Sequence, residues 1–138
     1  MVEWLKSCAA GAFVALLGAG CTFVAWHTID HPGVNQSIRA ESGDRYFMDL
    51  EENATTGYRW DYTCDDPDVE VTIDHVAGEA KDGAVGVPGK AKVTIRIHRG
   101  YDGPSAVTFT YKRPWEKAPI KSFTIAFYKR TGDCAFWE

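Results

Sequence analysis

"YRWDYTC", residues 58–64, alternates aromatic or thiol side chains with polar ones over its whole length. Successive side chains of a β-strand point to opposite faces of a sheet, so a period of two sorts them into two sets. The core-facing set is Tyr58, Trp60, Tyr62 and Cys64, and the solvent-facing set is Arg59, Asp61 and Thr63. The stretch therefore predicts a half-buried β-strand.

Five further stretches show the same alternation between apolar and polar side chains. They are "RYFMDLE" (45–51), "VEVTIDH" (69–75), "KVTIRIH" (92–98), "AVTFTYK" (106–112) and "KSFTIAFYK" (121–129). Turn residues separate these strands, and residues 27–43 are typical of a linker followed by a weak first strand. With no convincing soluble helix in 138 residues, the pattern predicts one all-β domain, a sandwich or a barrel.

Composition and motifs exclude several classes of function. The net charge is −4, which argues against a nucleic-acid partner. The sequence has no Cys/His ligand spacing and no G-x-S-x-G elbow, so we expect no metal, no cofactor and no enzymatic activity. His27 and His31 lie in the linker, and His75 and His98 are single residues on the polar phase of their strands. A hydrolase needs a nucleophile with an adjacent base, and no motif in the sequence pairs one of these histidines with a nucleophile.

The first 26 residues differ from the rest of the chain. No charged residue occurs from Ser7 to Trp26, a length close to the ~20 apolar residues that span a bilayer. "LLGAGC", residues 16–21, resembles a bacterial lipobox, which makes Cys21 a candidate for lipidation. Three interpretations stay open: a lipid anchor at Cys21, an uncleaved membrane anchor, and a cleaved signal peptide. The other interpretation, a buried core helix, fits less well because the run is apolar all round.

Each of the three leading interpretations exports the rest of the chain. We therefore expect a secreted or cell-envelope protein with membrane contact through its N-terminal segment alone. The expected organisation is a signal or anchor segment at 1–26, a linker at 27–36 and a domain at 37–138. Cys64 and Cys134 are the two cysteines of the body, and in an exported domain such a pair predicts a disulfide bond.

Three loops fall at one end of the sandwich if consecutive strands run antiparallel. They are "NATTGY" (53–58), "GEAKDGAVGVPGKA" (78–91) and "KRPWEKAP" (112–119). The threonines of the first loop are unusual in a turn, because β-branched residues prefer extended backbone. From that preference we expect Thr55 and Thr56 to be extended. Gly57 permits a close approach or a positive φ.

The three loops together resemble the chagasin family of cysteine-peptidase inhibitors over roughly residues 37–130. The motifs that carry the resemblance are "NATTGY", the glycine-containing stretch 86–89, and Arg113-Pro114-Trp115, in the family's order and spacing. Ala54 stands where the family commonly has proline, and 86–89 is poorer in glycine than the family's second loop. The resemblance implies an immunoglobulin-like β-sandwich of seven or eight antiparallel strands.

The resemblance also implies a function: reversible, non-covalent inhibition of papain-like peptidases by a monomer whose three loops fill the active-site cleft. Thr55, Thr56 and Gly57 would approach the catalytic cysteine and histidine of the peptidase. Arg113 and Trp115 would contact one wall of the cleft, and residues 86–89 the other. The implied contact residues are Asn53, Ala54, Thr55, Thr56, Gly57, Tyr58, Gly86, Val87, Pro88, Gly89, Arg113, Pro114 and Trp115. Because a sandwich alone does not fix a function, an exported adhesion or carbohydrate-binding module is the alternative.

Overall fold

The computed structural model describes residues 24–80, 82–83 and 86–130, and this part of the chain contains eight β-strands. The strands are β1 (Trp26–Thr28), β2 (Gln36–Ala40), β3 (Arg45–Glu52), β4 (Arg59–Cys64), β5 (Val69–Val76), β6 (Gly89–Ile97), β7 (Ser105–Lys112) and β8 (Lys121–Lys129). β3 to β8 are the six strands that the alternation predicts, and β2 is the weak strand expected within 27–43.

The strands form two four-stranded sheets. One has the order β1-β3-β6-β5 and the other β2-β8-β7-β4. This architecture confirms the predicted all-β sandwich. The expectation of purely antiparallel pairing is wrong at two edges, because β1 pairs with β3 and β2 pairs with β8 in parallel. The reason is that the chain crosses from one sheet to the other between β2 and β3 instead of forming a hairpin there.

The core lies between the sheets and is built by the predicted alternation. Burial of each large apolar side chain contributes roughly 1.5–3 kcal/mol. The largest fully buried side chains are Phe109, Phe127, Ile95, Ile97, Ile125, Val93 and Val107. Ile29 is also buried, so the sandwich includes residues 26–29, before the residue at which we expected the domain to begin.

Strand β4 departs from its predicted pattern at one position. Trp60 is buried and Tyr58 packs against the core, as the alternation predicts. Tyr62, expected on the same buried face, is 39% exposed. The physical reason is that β4 is an edge strand among the described residues, with β7 on one side and none of the eight strands on the other.

The pairing register fixes which loops share an end of the sandwich. Glu52 at the end of β3 lies opposite Gly89 at the start of β6. Arg59 at the start of β4 lies opposite Lys112 at the end of β7. The β3–β4, β5–β6 and β7–β8 connections are therefore at one end, as the antiparallel argument predicts. The opposite end holds the turns after β4 and β6.

Two predictions about the termini lie outside the described residues. Lipidation at Cys21 falls in residues 1–23, and the bond from Cys64 to Cys134 falls partly in residues 131–138. Within the described ranges, no helix is long and apolar enough to cross a membrane.

Candidate functional site

The first loop, residues 53–58, contains a single 3-10 turn at Ala54–Thr56 that ends at Gly57 with φ +80°. The backbone amides of Thr56 and Gly57 donate to the carbonyls of Asn53 and Ala54 at 3.2 and 3.1 Å. The extended conformation expected for Thr55 and Thr56 is therefore wrong. Their side chains explain the difference, since hydroxyls bonded to nearby backbone or Asx groups favour turns over strands.

Asn53 organises this loop through both its side chain and its backbone. Its Oδ1 accepts a hydrogen bond from the Thr55 hydroxyl at 2.5 Å, and its carbonyl accepts one from the Thr56 hydroxyl at 2.8 Å. Its backbone amide donates to the hydroxyl of Tyr111 on β7 at 2.9 Å. These hydrogen bonds order the turn although Ala54 stands where the family commonly has proline.

The third loop, residues 113–120, rests against the first through Arg113. The Nε of Arg113 donates to the carbonyl of Thr56 at 3.0 Å. Its guanidinium lies over the ring of Tyr58, at 4.4 Å from the centroid, and near the ring of Trp115, at 5.7 Å. One side chain thus connects the two loops by a hydrogen bond and by cation–π contacts.

Trp115 is the most exposed large apolar residue among those that the structure describes at this end of the molecule. Its side chain is 72% exposed, yet a Cβ placed on Gly57 would lie 3.4 Å from its Cη2 atom. Glu116 follows it, with its amide bonded to the carbonyl of Arg113 at 3.1 Å. The indole is therefore held beside the first loop with most of its surface open to solvent.

The second loop, between β5 and β6, comes within contact distance of the first. Gly86 has φ +86°, and a Cβ placed on it would lie 4.0 Å from the hydroxyl oxygen of Thr55. Val87 is half-buried and Pro88 is exposed. Gly89 is buried, and a Cβ placed on it would lie 2.3 Å from the carbonyl oxygen of Val76. It therefore belongs to the neck of the loop, by which we mean the place where the chain leaves one strand and enters the next, and not to the loop surface.

The structure thus brings the contact residues implied by the motifs to one end of the sandwich. Ala54, Thr55, Thr56, Gly86, Pro88, Pro114 and Trp115 are exposed there, while Asn53, Gly57, Tyr58, Val87 and Arg113 are half-buried beneath or beside them. We call this surface the loop edge. The sequence reasoning missed Glu52, which directly precedes the first loop and is 3% exposed. The available signal was its position on the core phase of the alternation after Tyr46, Met48 and Leu50.

The resolved shifts of pKa lie away from the loop edge. Burial and the nearby Asp44 carboxylate raise the pKa of Tyr46, close to the start of β3. Burial raises the pKa of the Cys64 thiol, and a hydrogen bond from Lys129 lowers the pKa of the exposed Asp102 carboxyl. Within the described ranges, no group of histidine, cysteine and acidic side chains is arranged to bind a metal. The loop edge itself is formed by exposed loop residues, among them Thr55, Thr56 and Trp115.

Comparison with known families shows which family the chain belongs to. Residues 39–127 match the model of the chagasin family peptidase inhibitors (I42), a range that encloses all three loops. The chain belongs to the chagasin family. The predicted family is thereby confirmed, and with it the prediction of a peptidase inhibitor and not an enzyme.

Individual relatives agree with this assignment. Amoebiasin-2 of Entamoeba histolytica is 26% identical over 117 residues, covering 83% of this chain and 93% of that protein. The crystal structure of a cysteine protease inhibitor from Entamoeba histolytica superimposes with a TM-score of 0.65 at 22% identity, covering 78% of this chain and 98% of the other. The solution structure of Amebosin gives a TM-score of 0.57 at 26% identity, with 77% and 98% covered. These chagasin-like structures share the sandwich described above.

Proposed function

We propose that this chagasin-family protein inhibits papain-like cysteine peptidases reversibly and without covalent chemistry, by inserting its loop edge into the active-site cleft. The observation that carries the proposal is that the three loops lie together: the Nε of Arg113 bonds to the carbonyl of Thr56 at 3.0 Å, and a Cβ placed on Gly86 would lie 4.0 Å from the hydroxyl oxygen of Thr55. The family match and the similarity to a cysteine protease inhibitor of Entamoeba histolytica support the class of target.

The first loop is the central element of the proposed wedge. Thr55 and Thr56 are exposed, and their hydroxyls are already bonded within the loop, so little ordering remains to be done on binding. A substrate lies extended in a peptidase cleft, whereas Ala54–Thr56 form a compact 3-10 turn. This difference supports inhibition without cleavage, because the turn does not offer an extended peptide bond to the catalytic cysteine.

The third and second loops supply the flanks. Trp115 combines high exposure with a fixed position, which is typical of the aromatic anchors that dominate binding energy. Arg113 supports it from below and also bonds to the first loop. On the other side, Gly86 and Pro88 are exposed, and neither carries a large side chain. A wedge of this shape fits a cleft with two walls.

We also propose that the protein acts as a single copy and is exported, with its N-terminal segment as signal or anchor. All three loops of the wedge come from one chain, so a second copy adds nothing that the edge lacks. The carbonyl of Ala25 accepts a hydrogen bond from the amide of Arg45, at the start of β3. The first loop follows the other end of that eight-residue strand, roughly 26 Å away at ~3.3 Å per residue. An anchor at the N-terminus would therefore leave the loop edge directed away from the membrane.

Titration of papain with the full chain in nonionic detergent tests the proposal. We expect peptidase activity to fall to zero at micromolar inhibitor and to return on dilution, with detergent alone as the control. Full papain activity at micromolar protein would overturn the proposal and would favour an adhesion or carbohydrate-binding module.

A further inference from the structure

The buried carboxylate of Glu52 lies where the necks of two loops meet. Glu52 is the last residue of β3 and is 3% exposed, so its charge is removed from solvent. A carboxylate in such a place is costly unless hydrogen-bond donors surround it. Its two oxygens have donors from two different strands, β4 and β5.

The first donor closes the neck of the first loop. The backbone amide of Trp60, just after the loop, donates to Oε2 of Glu52 at 3.0 Å. The indole Nε1 of Trp60 also donates to the carbonyl of Glu51 at 2.9 Å. Residues on both sides of the loop are thus tied together by one buried carboxylate and one buried indole.

The second donor reaches from the neck of the second loop. Nδ1 of His75, on β5, lies 2.8 Å from Oε1 and 2.9 Å from Oε2 of Glu52. If the carboxylate is ionised it can only accept, and Nδ1 of His75 is then the donor in this pair. Gly89, at the exit of the second loop, lies opposite Glu52 in the β3–β6 register. Glu52 therefore contacts the strand that enters the second loop and pairs with the strand that leaves it.

We propose that Glu52 is a positioning residue for inhibition, which holds the first and second loops of the edge in their binding arrangement through Trp60 and His75. This inference rests on the proposed function, because it assigns Glu52 a part in the affinity for the peptidase. Glu52 does not touch the peptidase itself, since it is buried beneath the loops. Its effect is that nearly all molecules have the loop edge in the arrangement that binds the peptidase.

Asp44 provides a matched control at the other end of the same strand. It is 6% exposed and immediately precedes β3. Its carboxylate accepts hydrogen bonds from the amide of Glu41 at 3.0 Å and from the hydroxyl of Tyr46 at 3.1 Å, and it lies 3.7 Å from Nε2 of His27. Both carboxylates are buried and bonded, but only Glu52 adjoins the loop edge. Substituting either carboxylate should therefore lower the stability of the fold, whereas only the substitution of Glu52 should also lower the affinity for the peptidase.

The experiment compares the full chain with Glu52→Ala, Glu52→Gln, His75→Ala and Asp44→Ala, in nonionic detergent. For each we would measure the association and dissociation rates with papain, the thermal midpoint, and the amide exchange of Thr56 and Gly57 without peptidase. We expect Glu52→Ala to weaken inhibition about tenfold or more, mainly through slower association, because fewer molecules are competent. Glu52→Gln should recover most of this loss, since its amide oxygen can still accept from Trp60. His75→Ala should weaken inhibition about threefold, a smaller effect because one hydrogen bond is lost.

Asp44→Ala should lower the thermal midpoint and leave the inhibition constant within about twofold of the wild type, as expected for independent sites. The proposal is overturned if folded Glu52→Ala inhibits like the wild type, or if Asp44→Ala weakens inhibition equally. If Glu52→Ala does not fold, His75→Ala decides, and unchanged inhibition by that variant overturns the proposal. If the wild type does not inhibit papain, the proposed function fails. The amide exchange of Thr56 and Gly57 then still tests whether Glu52 holds the loops in place. Unchanged protection of these amides in Glu52→Ala and His75→Ala contradicts that role.

Discussion

Trp115 illustrates how single residues define the loop edge. A tryptophan with 72% of its surface in solvent gains little from the fold, since its apolar area remains hydrated. It lies beside Gly57, whose Cβ position is 3.4 Å from its Cη2, and near the guanidinium of Arg113, 5.7 Å from its ring centroid, and both residues belong to the loop edge. Such a side chain is better explained by what it binds than by what it stabilises.

We predict that Trp115→Ala weakens inhibition of papain by about 2 kcal/mol or more, roughly 30-fold, and leaves the fold intact. The reason is that an exposed anchor contributes to the complex and not to the core. Inhibition constants and thermal midpoints of the two proteins provide the measurement.

Trp26 is the control for this change. It is 64% exposed and stacks on Phe47 at 5.2 Å, but it lies at the end of the sandwich remote from the loops. Trp26→Ala should leave inhibition unchanged. An equal loss of inhibition in both variants would mean that the loop edge is not the contact surface.

Arg113 acts at the same scale by joining the first and third loops. We predict that Arg113→Ala weakens inhibition by ~1–2 kcal/mol, because the bond to the Thr56 carbonyl and the stacking on Tyr58 are both lost. Arg113→Lys should recover only part of the loss, since lysine lacks the planar guanidinium. Full recovery by lysine would show that charge alone matters at this position. Inhibition constants for the three proteins would distinguish the two outcomes.

Sequence alone identified these residues, but not how they are held. The Arg-Pro-Trp motif pointed to an exposed tryptophan, and Trp115 is exposed. The backbone of Thr55 and Thr56 was predicted wrongly, because strand propensity ignores the bonds that their hydroxyls make to Asn53. Glu52 was missed because its donors, Trp60 and His75, come from other strands, and no local pattern reports such a meeting.

At the scale of elements, the neck of the second loop brings backbone segments close together at two glycines. A Cβ on Gly89 would lie 2.3 Å from the carbonyl oxygen of Val76, and one on Gly78 would lie 2.5 Å from that of Pro88. Backbone atoms cannot move aside as a side chain can. Glycine at these two positions therefore allows the backbones on either side of the second loop to lie close together.

We predict that Gly89→Ala lowers the free energy of unfolding by ~1–3 kcal/mol and also weakens inhibition, because the added methyl forces the neck apart. Gly100→Ala is the control, since the nearest atoms to its Cβ would be those of the Asp68 carboxylate, with Oδ1 at 2.9 Å, and this side chain can rotate away. Its effect on unfolding should stay within about 0.5 kcal/mol. Denaturant unfolding of the two variants provides the measurement, and equal destabilisation would contradict the account of the neck.

The strands themselves were largely predictable, because a segment that alternates apolar and polar residues has few other ways to fold. β3, β4, β5, β7 and β8 begin and end within a residue of the predicted stretches, and β6 begins earlier, at Gly89. The parallel pairing of β1 with β3 and of β2 with β8 could not be predicted. Both pairings join segments whose order in the sheets depends on crossovers, and alternation carries no information about these.

At the scale of the whole molecule, the two ends of the sandwich differ in role. One end carries the loop edge, and the other carries the turns after β4 and β6, where β4 ends at Cys64. Burial raises the pKa of the Cys64 thiol, and its Sγ lies 3.6 Å from the carbonyl of Asp66. The predicted disulfide would therefore act at the end opposite the loop edge.

We predict that Cys64 and Cys134 are bonded in the exported protein, which would add roughly 4 kcal/mol to its stability in the chain-entropy model. Alkylation without reduction, followed by mass spectrometry, checks the bond. Two alkylated cysteines in the exported domain would contradict it. Reduction should lower the thermal midpoint and leave the inhibition constant of the folded protein unchanged, because the bond is remote from the loop edge.

The central claim is that the loop edge occupies the active-site cleft of a papain-like peptidase. The most direct test is binding of the full chain to two forms of papain, one with a free cleft and one whose catalytic cysteine carries a covalent peptidyl inhibitor that fills the cleft. The account predicts binding to the free form and none to the blocked form. Equal binding to both forms would contradict it.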